Sequence, residues 1–334
     1  MKYRALGRTG VKVSELCLGA MMFGGRTPND EGVAIIDKAI DAGINFIDTA
    51  NVYNQGRSEE CVGEAVTRRG RRDSLIIATK VHGNMDAEDP NAQGNSRRHI
   101  IQQCEASLRR LQTDWIDLYQ IHRPQSDIPV DETLRALDDL VTSGKVRYLG
   151  TSTYAAWQLV ESFGVSDKLG LNRFICEQPP YNLLDRRIER ELVPMAQTYG
   201  MAIIPWSPLG GGLLTGKYQR GMSMPEDARF ADSNYGNRRR LTERVYDTVE
   251  PLLPLAESKG CTMSQLALAW VNQQPGITSP IIGPRTMEQF EDNLGALNIE
   301  LNDEDLKFID SVCRPGDSVA PYYEADFGPH MHRV

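Results

Sequence analysis

Three ionisable side chains stand at the ends of short apolar runs within the first 122 residues, and a fourth follows one of them on a loop. Asp48 follows Asn45-Phe46-Ile47, Lys80 closes Leu75-Ile76-Ile77-Ala78-Thr79, and His122 closes the run from Trp115 to Ile121. Tyr53 lies five residues beyond Asp48, leading into the polar stretch Asn54-Gln55-Gly56-Arg57. A free tyrosine titrates near ~10, too high for an efficient acid at neutral pH, but a neighbouring ammonium favours the phenolate. Lys80 would ease proton release from Tyr53, while Asp48 would hold Lys80 in place and charged. His122 could hydrogen-bond a substrate oxygen and orient it. Together the four groups suit the donation of a proton to a carbonyl oxygen as negative charge develops there.

Other readings of the same residues exist. Asp48 and Lys80 could form a buried ion pair and His122 a hydrogen-bonded rim, although such pairs contribute little net stability. Lys80 could also act as the nucleophile of a Schiff-base lyase. The chain shows no nucleophile–base pair for acyl transfer and no cluster at metal-ligand spacing.

The elements that must position these residues follow a rhythm. A hairpin is expected first, Tyr3 to Leu6 and Val11 to Val13 around Gly7-Arg8-Thr9-Gly10. Apolar strands are then expected at 16–19, 45–47, 75–80, 115–121, 146–150, 174–178, 202–206 and 279–282. Helices are expected between them at 31–42, 58–69, 97–111, about 131–144 with Asp131 as N-cap, 155–165, 187–199, 241–258, 264–273, 286–296 and 302–312. Eight strands alternating with eight main helices predict an α/β fold, a (β/α)8 TIM barrel with an N-terminal β-hairpin and a long loop after strand 7. A doubly wound sheet fits poorly, because Leu18-Gly19-Ala20-Met21-Met22-Phe23-Gly24-Gly25 lacks the glycine spacing of a dinucleotide loop. One domain is expected over 1–312, with a tail at 313–334 carrying Tyr322, Tyr323, Phe327, His330 and His332. In such a barrel the carboxyl ends of the strands share one face, so the four groups converge there.

Composition narrows the partners. A formal charge of -8 and a pI of about 5.3 argue against a general binder of nucleic acid or anionic membrane. The basic run Arg238-Arg239-Arg240 is local. Six cysteines, none in a C-x-x-C pair, read as buried thiols in a reducing compartment. The first ten residues lack the apolar core of a signal peptide, so a cytoplasmic location is expected, with a small-molecule substrate as partner.

The residues also carry a resemblance. Asp-Thr-Ala-Asn-Val-Tyr at 48–53 with Gly-Arg-Ser-Glu-Glu after it, Ile-Ala-Thr-Lys ending at Lys80, and Ile-Asp-Leu-Tyr-Gln-Ile-His ending at His122 are similar to motifs of the aldo-keto reductases. So are Trp206-Ser207-Pro208-Leu209 through Lys217 and Ile281-Ile282-Gly283-Pro284-Arg285-Thr286. The chain resembles this family, of bacterial type and also its potassium-channel β-subunit branch, from about residue 3 to 312. The resemblance implies Asp48, Tyr53, Lys80 and His122 as a catalytic tetrad, Tyr53 being the proton donor. The implied activity is NADP(H)-dependent reduction of aldehydes or ketones, or its reverse; a non-catalytic NADP-binding regulatory subunit is the alternative.

Carbonyl reduction needs a hydride that no side chain provides, hence NADPH or NADP+. Ser152 and Gln178 could hydrogen-bond a carboxamide, and Trp206 could stack on the nicotinamide. Gly19, Met21, Asp48, Ser207, Leu209, Gly210 and Lys217 are further expected contacts, the glycines allowing close backbone approach to phosphates. Gly283 and Arg285 would form a second anion site favouring a 2′-phosphate, with Gln289 and Asn293 toward the adenine. The loop bearing Arg238 to Arg240 is expected to fold over the pyrophosphate. Where the family commonly has Asn after the serine of strand five, this chain has Thr153, which lacks the amide's paired donor and acceptor. Tyr53, His122, Tyr154 and Phe23 are expected at the substrate, whose identity the sequence leaves open among aldehydes, ketones, sugar-derived carbonyls and hydrophobic alcohols.

Overall fold

The computed structural model describes residues 1–221 and 240–321. Its centre is an eight-stranded parallel sheet. The strands are β3 (Cys17–Gly19), β4 (Phe46–Asp48), β5 (Ile76–Val81), β6 (Ile116–Ile121), β7 (Val146–Ser152), β8 (Phe174–Gln178), β9 (Ala202–Ile203) and β10 (Ile281–Ile282). They pair in the order β10-β3-β4-β5-β6-β7-β8-β9. The two ends meet through backbone bonds from Thr278 N to Ile203 O, 2.8 Å, and from Ile281 N to Pro205 O, 2.8 Å, closing the barrel. The strand expected through Trp206 is cut short because Pro205 has no N–H to offer a ladder.

Side chains alternate across each strand, and the alternation sorts two cores. Cys17, Phe46, Ala78, Leu118, Cys176, Ala202 and Ile281 fill the barrel interior. Leu18, Ile47, Ile77, Tyr119, Leu149 and Ile203 point outward against the helices. A hairpin of β1 (Tyr3–Ala5) and β2 (Lys12–Ser14) stoppers the end where the strands begin, and Leu6 and Val13 join the interior core. Gly7 sits at φ +58°, and a Cβ there would lie 2.6 Å from Ile175 O and 2.9 Å from Ala202 N, so only glycine lets the hairpin seat.

The helices are α1 (Asn29–Asp41), α2 (Arg57–Arg69), α3 (Arg97–Leu111), α4 (Val130–Thr142), α5 (Ala156–Leu169), α6 (Leu192–Tyr199), α7 (Glu243–Val249), α8 (Leu253–Ser258), α9 (Met263–Gln273), α10 (Met287–Gly295) and α11 (Asp303–Val312). Most match the expected spans. Two differences have local causes. The helix expected over 241–258 breaks into α7, a 3-10 turn and α8, because Pro251 and Pro254 each remove a donor. Asp131 does not cap α4; it lies inside the first turn, where its charge meets the helix dipole, and Pro129 occupies the N-cap.

Residues 313–321 continue on the barrel. Val319 N and Ala320 N donate to Leu184 O at 2.8 and 3.0 Å, and Arg186 N donates to Asp317 O at 2.8 Å. Among the described residues no helix is long and apolar enough to cross a membrane. Arg238, Arg239, Tyr322, Tyr323, Phe327, His330 and His332 lie outside the described residues.

Candidate active site

Polar side chains replace apolar ones in the interior layer at the carboxyl ends of the strands. Asp48 ends β4, Lys80 stands near the end of β5, and Gln120 and His122 come from β6 and the residue after it. Ser152 ends β7, Gln178 ends β8, and Trp206 lies just beyond β9. All have the parity that points inward, so the face switches from a dry core to a hydrogen-bonded floor within one residue pair.

Lys80 is fully buried. Its ammonium donates to Asp48 Oδ1 at 2.5 Å, to Thr49 O at 2.7 Å and to Tyr53 Oη at 3.3 Å. Burial opposes its charge, but the Asp48 carboxylate and the Tyr53 phenol outweigh that penalty and hold its pKa above the ordinary lysine value. Asp48 Oδ2 accepts from Gln120 Nε2 at 3.0 Å and from Gln178 Nε2 at 2.9 Å, and Gln178 Nε2 also approaches Gln120 Oε1 at 3.2 Å. The carboxylate is thus fixed by three donors from three strands.

Tyr53 comes to this floor from a loop bent by two consecutive left-handed residues, Asn54 at φ +49° and Gln55 at φ +56°. Asn54 Nδ2 donates to Met21 O at 3.0 Å and Phe23 O at 2.9 Å, tying the loop after β4 to the loop after β3. A short polar asparagine tolerates this conformation and uses its amide as the tie. Tyr53 and His122 meet edge to face, ring centroids 5.6 Å apart at 82°. Burial, then the Lys80 and Arg123 charges, lower the His122 pKa well below its ordinary value, so the imidazole stays neutral. A neutral ring beside an ammonium-backed phenol can hydrogen-bond one oxygen without competing for the proton.

The other expected residues are distributed as follows. Ser152 is buried and donates to Gln178 O at 2.9 Å. Gln178 has its amide nitrogen committed to the floor, which leaves its Oε1 as the atom that can meet a carboxamide. Trp206 is half-buried against the interior core, at the mouth. Gly19 faces the interior beside β10; a Cβ there would lie 2.6 Å from Ile281 Cγ2. Met21 is exposed on the rim. Ser207, Leu209, Gly210 and Lys217 line one turn-rich loop, with Ser207 at φ +56° and Gly210, Gly211 and Gly212 all at positive φ. The Lys217 ammonium folds back over this loop, such that a Cβ on Gly212 would be 3.4 Å from its Nζ. Gly283 is exposed and Arg285 half-buried, one residue before the Thr286 cap of α10. Gln289 Oε1 accepts from Arg285 N at 2.9 Å, so its side chain braces the same helix start, and Asn293 is buried farther along.

Two expectations need correction. Phe23 is buried in the outer core beneath Gly32, not on a pocket wall. Tyr154 packs outward against Phe174, centroids 6.2 Å apart, instead of facing the interior. Arg240 donates from its guanidinium to Ala320 O at 2.8 Å and reaches Gly210 O at 3.5 Å, while Arg238 and Arg239, expected with it over the pyrophosphate, lie outside the described residues. The sequence reading missed Gln120, although period two places it on the same face as His122. It also missed Glu59 and Glu177, buried carboxylates on the outer side of the strand ends.

The comparisons with known proteins give the family. Residues 15–314 match the model of the Aldo/keto reductase family. A "Probable voltage-gated potassium channel subunit beta" of Arabidopsis thaliana is 40% identical over 304 residues, 90% of this chain and 92% of the relative. "Uncharacterized oxidoreductase YrpG" of Bacillus subtilis (strain 168) is 39% identical over 322 residues, 93% of this chain and 96% of the relative. A "Putative voltage-gated potassium channel subunit beta" of Schizosaccharomyces pombe is 36% identical over 324 residues, 93% and 92% of the two chains. With its barrel, its strand-end tetrad and these matches along nearly the whole length, the chain belongs to the aldo/keto reductase family of oxidoreductases.

Proposed function

We propose that this protein is an NADP(H)-dependent oxidoreductase that reduces aldehyde or ketone carbonyls, or oxidises the corresponding alcohols, with Tyr53 as proton donor. The observation that carries the reading is the single ammonium of Lys80 joining Asp48 Oδ1, 2.5 Å, to Tyr53 Oη, 3.3 Å, beside a neutral His122. The residues fit a dinucleotide laid across the mouth. Trp206 offers a half-buried aromatic face, and Gly210 to Gly212 with Lys217 form a cationic turn suited to a pyrophosphate. Arg285 at the start of α10 suits a 2′-phosphate, which favours NADPH over NADH.

A bound nicotinamide would supply the hydride. Tyr53 Oη and the neutral His122 ring hydrogen-bond the substrate oxygen and aim its carbonyl carbon. As charge grows on that oxygen the phenol proton moves to it, and the nearby Lys80 ammonium stabilises the phenolate left behind. Asp48, fixed by Gln120 and Gln178, keeps that ammonium charged and stationary. The same ties argue against Lys80 as a Schiff-base nucleophile, because a buried amine with a raised pKa has no free lone pair at neutral pH.

The test is the variant Tyr53→Phe against a panel of carbonyls and alcohols, followed by NADPH absorbance. Reduction should fall by about 10²–10⁴-fold while NADPH binding, read by fluorescence quenching, persists. Near-normal turnover would overturn the mechanism. The names of the plant and yeast relatives, potassium channel subunits beta, favour a second reading, a regulatory subunit that keeps the cofactor site without turnover. Tight NADPH binding with no turnover on any panel member in the wild-type protein would select it.

A further inference from the structure

Glu177 is a carboxyl that the mechanism above does not use. It sits on β8 between Cys176 and Gln178, pointing outward, and is completely buried in the layer between barrel and helices. Thr151 Oγ1 bonds to its Oε2, and Tyr154 N donates to its Oε1 at 3.1 Å. Thr151 Oγ1 also reaches Cys176 O at 3.4 Å. Between these two anchors lie Ser152 and Thr153. Ser152 donates to Gln178 O, Thr153 N donates to the same oxygen at 3.3 Å, and Thr153 stands at φ +63°, where a β-branched side chain is strained.

We propose that Glu177 is a positioning residue that clamps the 152–154 turn from behind and so fixes Ser152 and Gln178 for the nicotinamide end of the cofactor. The inference rests on the reading of the mouth as a nicotinamide site. A strained turn persists only when its surroundings over-determine it, and here one side chain ties both its ends. The acid suits the task in its neutral form. Burial pushes its pKa up to about 8, against the opposing pull of Thr151, the Tyr154 and Thr153 amides and the Arg123 charge. When Glu177 is protonated, its Oε2–H donates to Thr151 Oγ1, the Thr151 hydroxyl donates to Cys176 O, and Oε1 still accepts from Tyr154 N. Every polar atom of the clamp is then satisfied without a buried charge. Glutamine can reproduce this pattern, with Nε2 donating and Oε1 accepting; alanine cannot.

The experiment measures the binding of two probes, NADPH and adenosine 2′,5′-bisphosphate, to the wild-type protein and to Glu177→Ala, Glu177→Gln and Glu177→Asp. The bisphosphate reports the adenine end alone. Glu177→Ala is expected to weaken NADPH about tenfold, Glu177→Gln to keep it within about threefold, and both to bind the bisphosphate as the wild type does. If Glu177→Ala does not fold, Glu177→Asp, too short to span Thr151 and Tyr154, should show the same selective loss. Unchanged NADPH affinity in Glu177→Ala or Glu177→Asp overturns the proposal, as does failure of Glu177→Gln to restore it. Parallel weakening of both probes also overturns it, since a general structural defect would do that. A wild-type protein that binds no NADPH would instead refute the nicotinamide reading on which the proposal stands.

Discussion

Replacing Lys80 by methionine should destabilise the protein in a pH-dependent way, and a second substitution should restore much of the loss. Methionine fills most of the lysine's volume, so the cavity is small and electrostatics dominate. Asp48 is 3% exposed and would keep Gln120 and Gln178 as donors, but the ammonium at 2.5 Å would be gone. Stranding one member of a buried pair typically costs about 3–5 kcal/mol. An independent bound agrees. The stranded carboxylate can escape by taking a proton, and at pH 7 that costs about 4 kcal/mol, about 1.4 kcal/mol for each pH unit above the ordinary carboxyl value near ~3.9. A folded state that binds a proton the unfolded chain releases loses stability as pH rises. Lys80→Met should therefore be nearest to wild-type stability at pH 5 and fall away from it toward pH 7. Adding Asp48→Asn removes the charge that demanded the proton, so the double variant should regain about 2–3 kcal/mol at pH 7 and lose the extra slope. Urea unfolding at pH 5, 6 and 7 measures all three proteins. Additive losses in the double variant, or a Lys80→Met difference that does not grow with pH, would refute the reasoning. Both variants should be inactive, because neither retains an ammonium behind Tyr53.

The neutral Glu177 makes a related prediction: with its folded pKa raised from 4.5 to about 8, it contributes stability at low pH that is lost as pH rises through that window. Glu177→Gln should flatten this part of the pH profile, with a gain of several kcal/mol at most above pH 8, read by denaturant midpoints. Thr153→Asn should stabilise by about 1 kcal/mol, since asparagine tolerates φ +63° better than a β-branched residue; Thr153→Gly should gain less, because glycine loses more backbone freedom on folding. Of the six cysteines, Cys17, Cys61, Cys104, Cys176 and Cys313 are buried and Cys261 is half-buried. Burial pushes Cys61, Cys104 and Cys313 up to about 12, so a thiol reagent should label Cys261 fast and the others only on unfolding. Labelling of several cysteines in the native protein would contradict this packing.

Much of the architecture was legible because strand and helix periods were clean and interrupted by glycine at helix ends. The clustering of Asp48, Lys80 and His122 with Tyr53 was legible because an ionisable residue terminating an apolar strand has few structural excuses, and Tyr53 follows one of them on the next loop. Gln120 was harder to see, because an amide inside a strand looks like a tolerated polar residue until its partner carboxylate is located. Phe23 and Tyr154 were misassigned because sequence places a residue on a loop but not on a side of it. After β3 the chain turns Phe23 under α1, and after β7 the left-handed Thr153 swings Tyr154 outward onto Phe174. Arg240 belonged to a basic run in the sequence, yet its partners are carbonyls more than twenty residues away in either direction.

The outer face of the strand ends explains how a polar floor can be held rigid without filling the mouth itself. Thr79, which precedes Lys80, donates to Glu59 Oε1 at 2.5 Å, and Glu59 in turn receives Arg110 Nε at 2.6 Å. Thr151, which precedes Ser152, bonds Glu177 in the same register. In each case a buried carboxyl, on α2 or on the neighbouring strand, grips the residue whose side chain points away from the site, so the next residue is fixed in the opposite direction. The two braces differ in electrostatics: Glu59 faces a guanidinium, whereas Glu177 meets a hydroxyl and backbone amides and is most stable as the neutral acid. The brace behind Lys80 therefore adds an ion pair outside the floor, while the one behind Ser152 adds no buried charge.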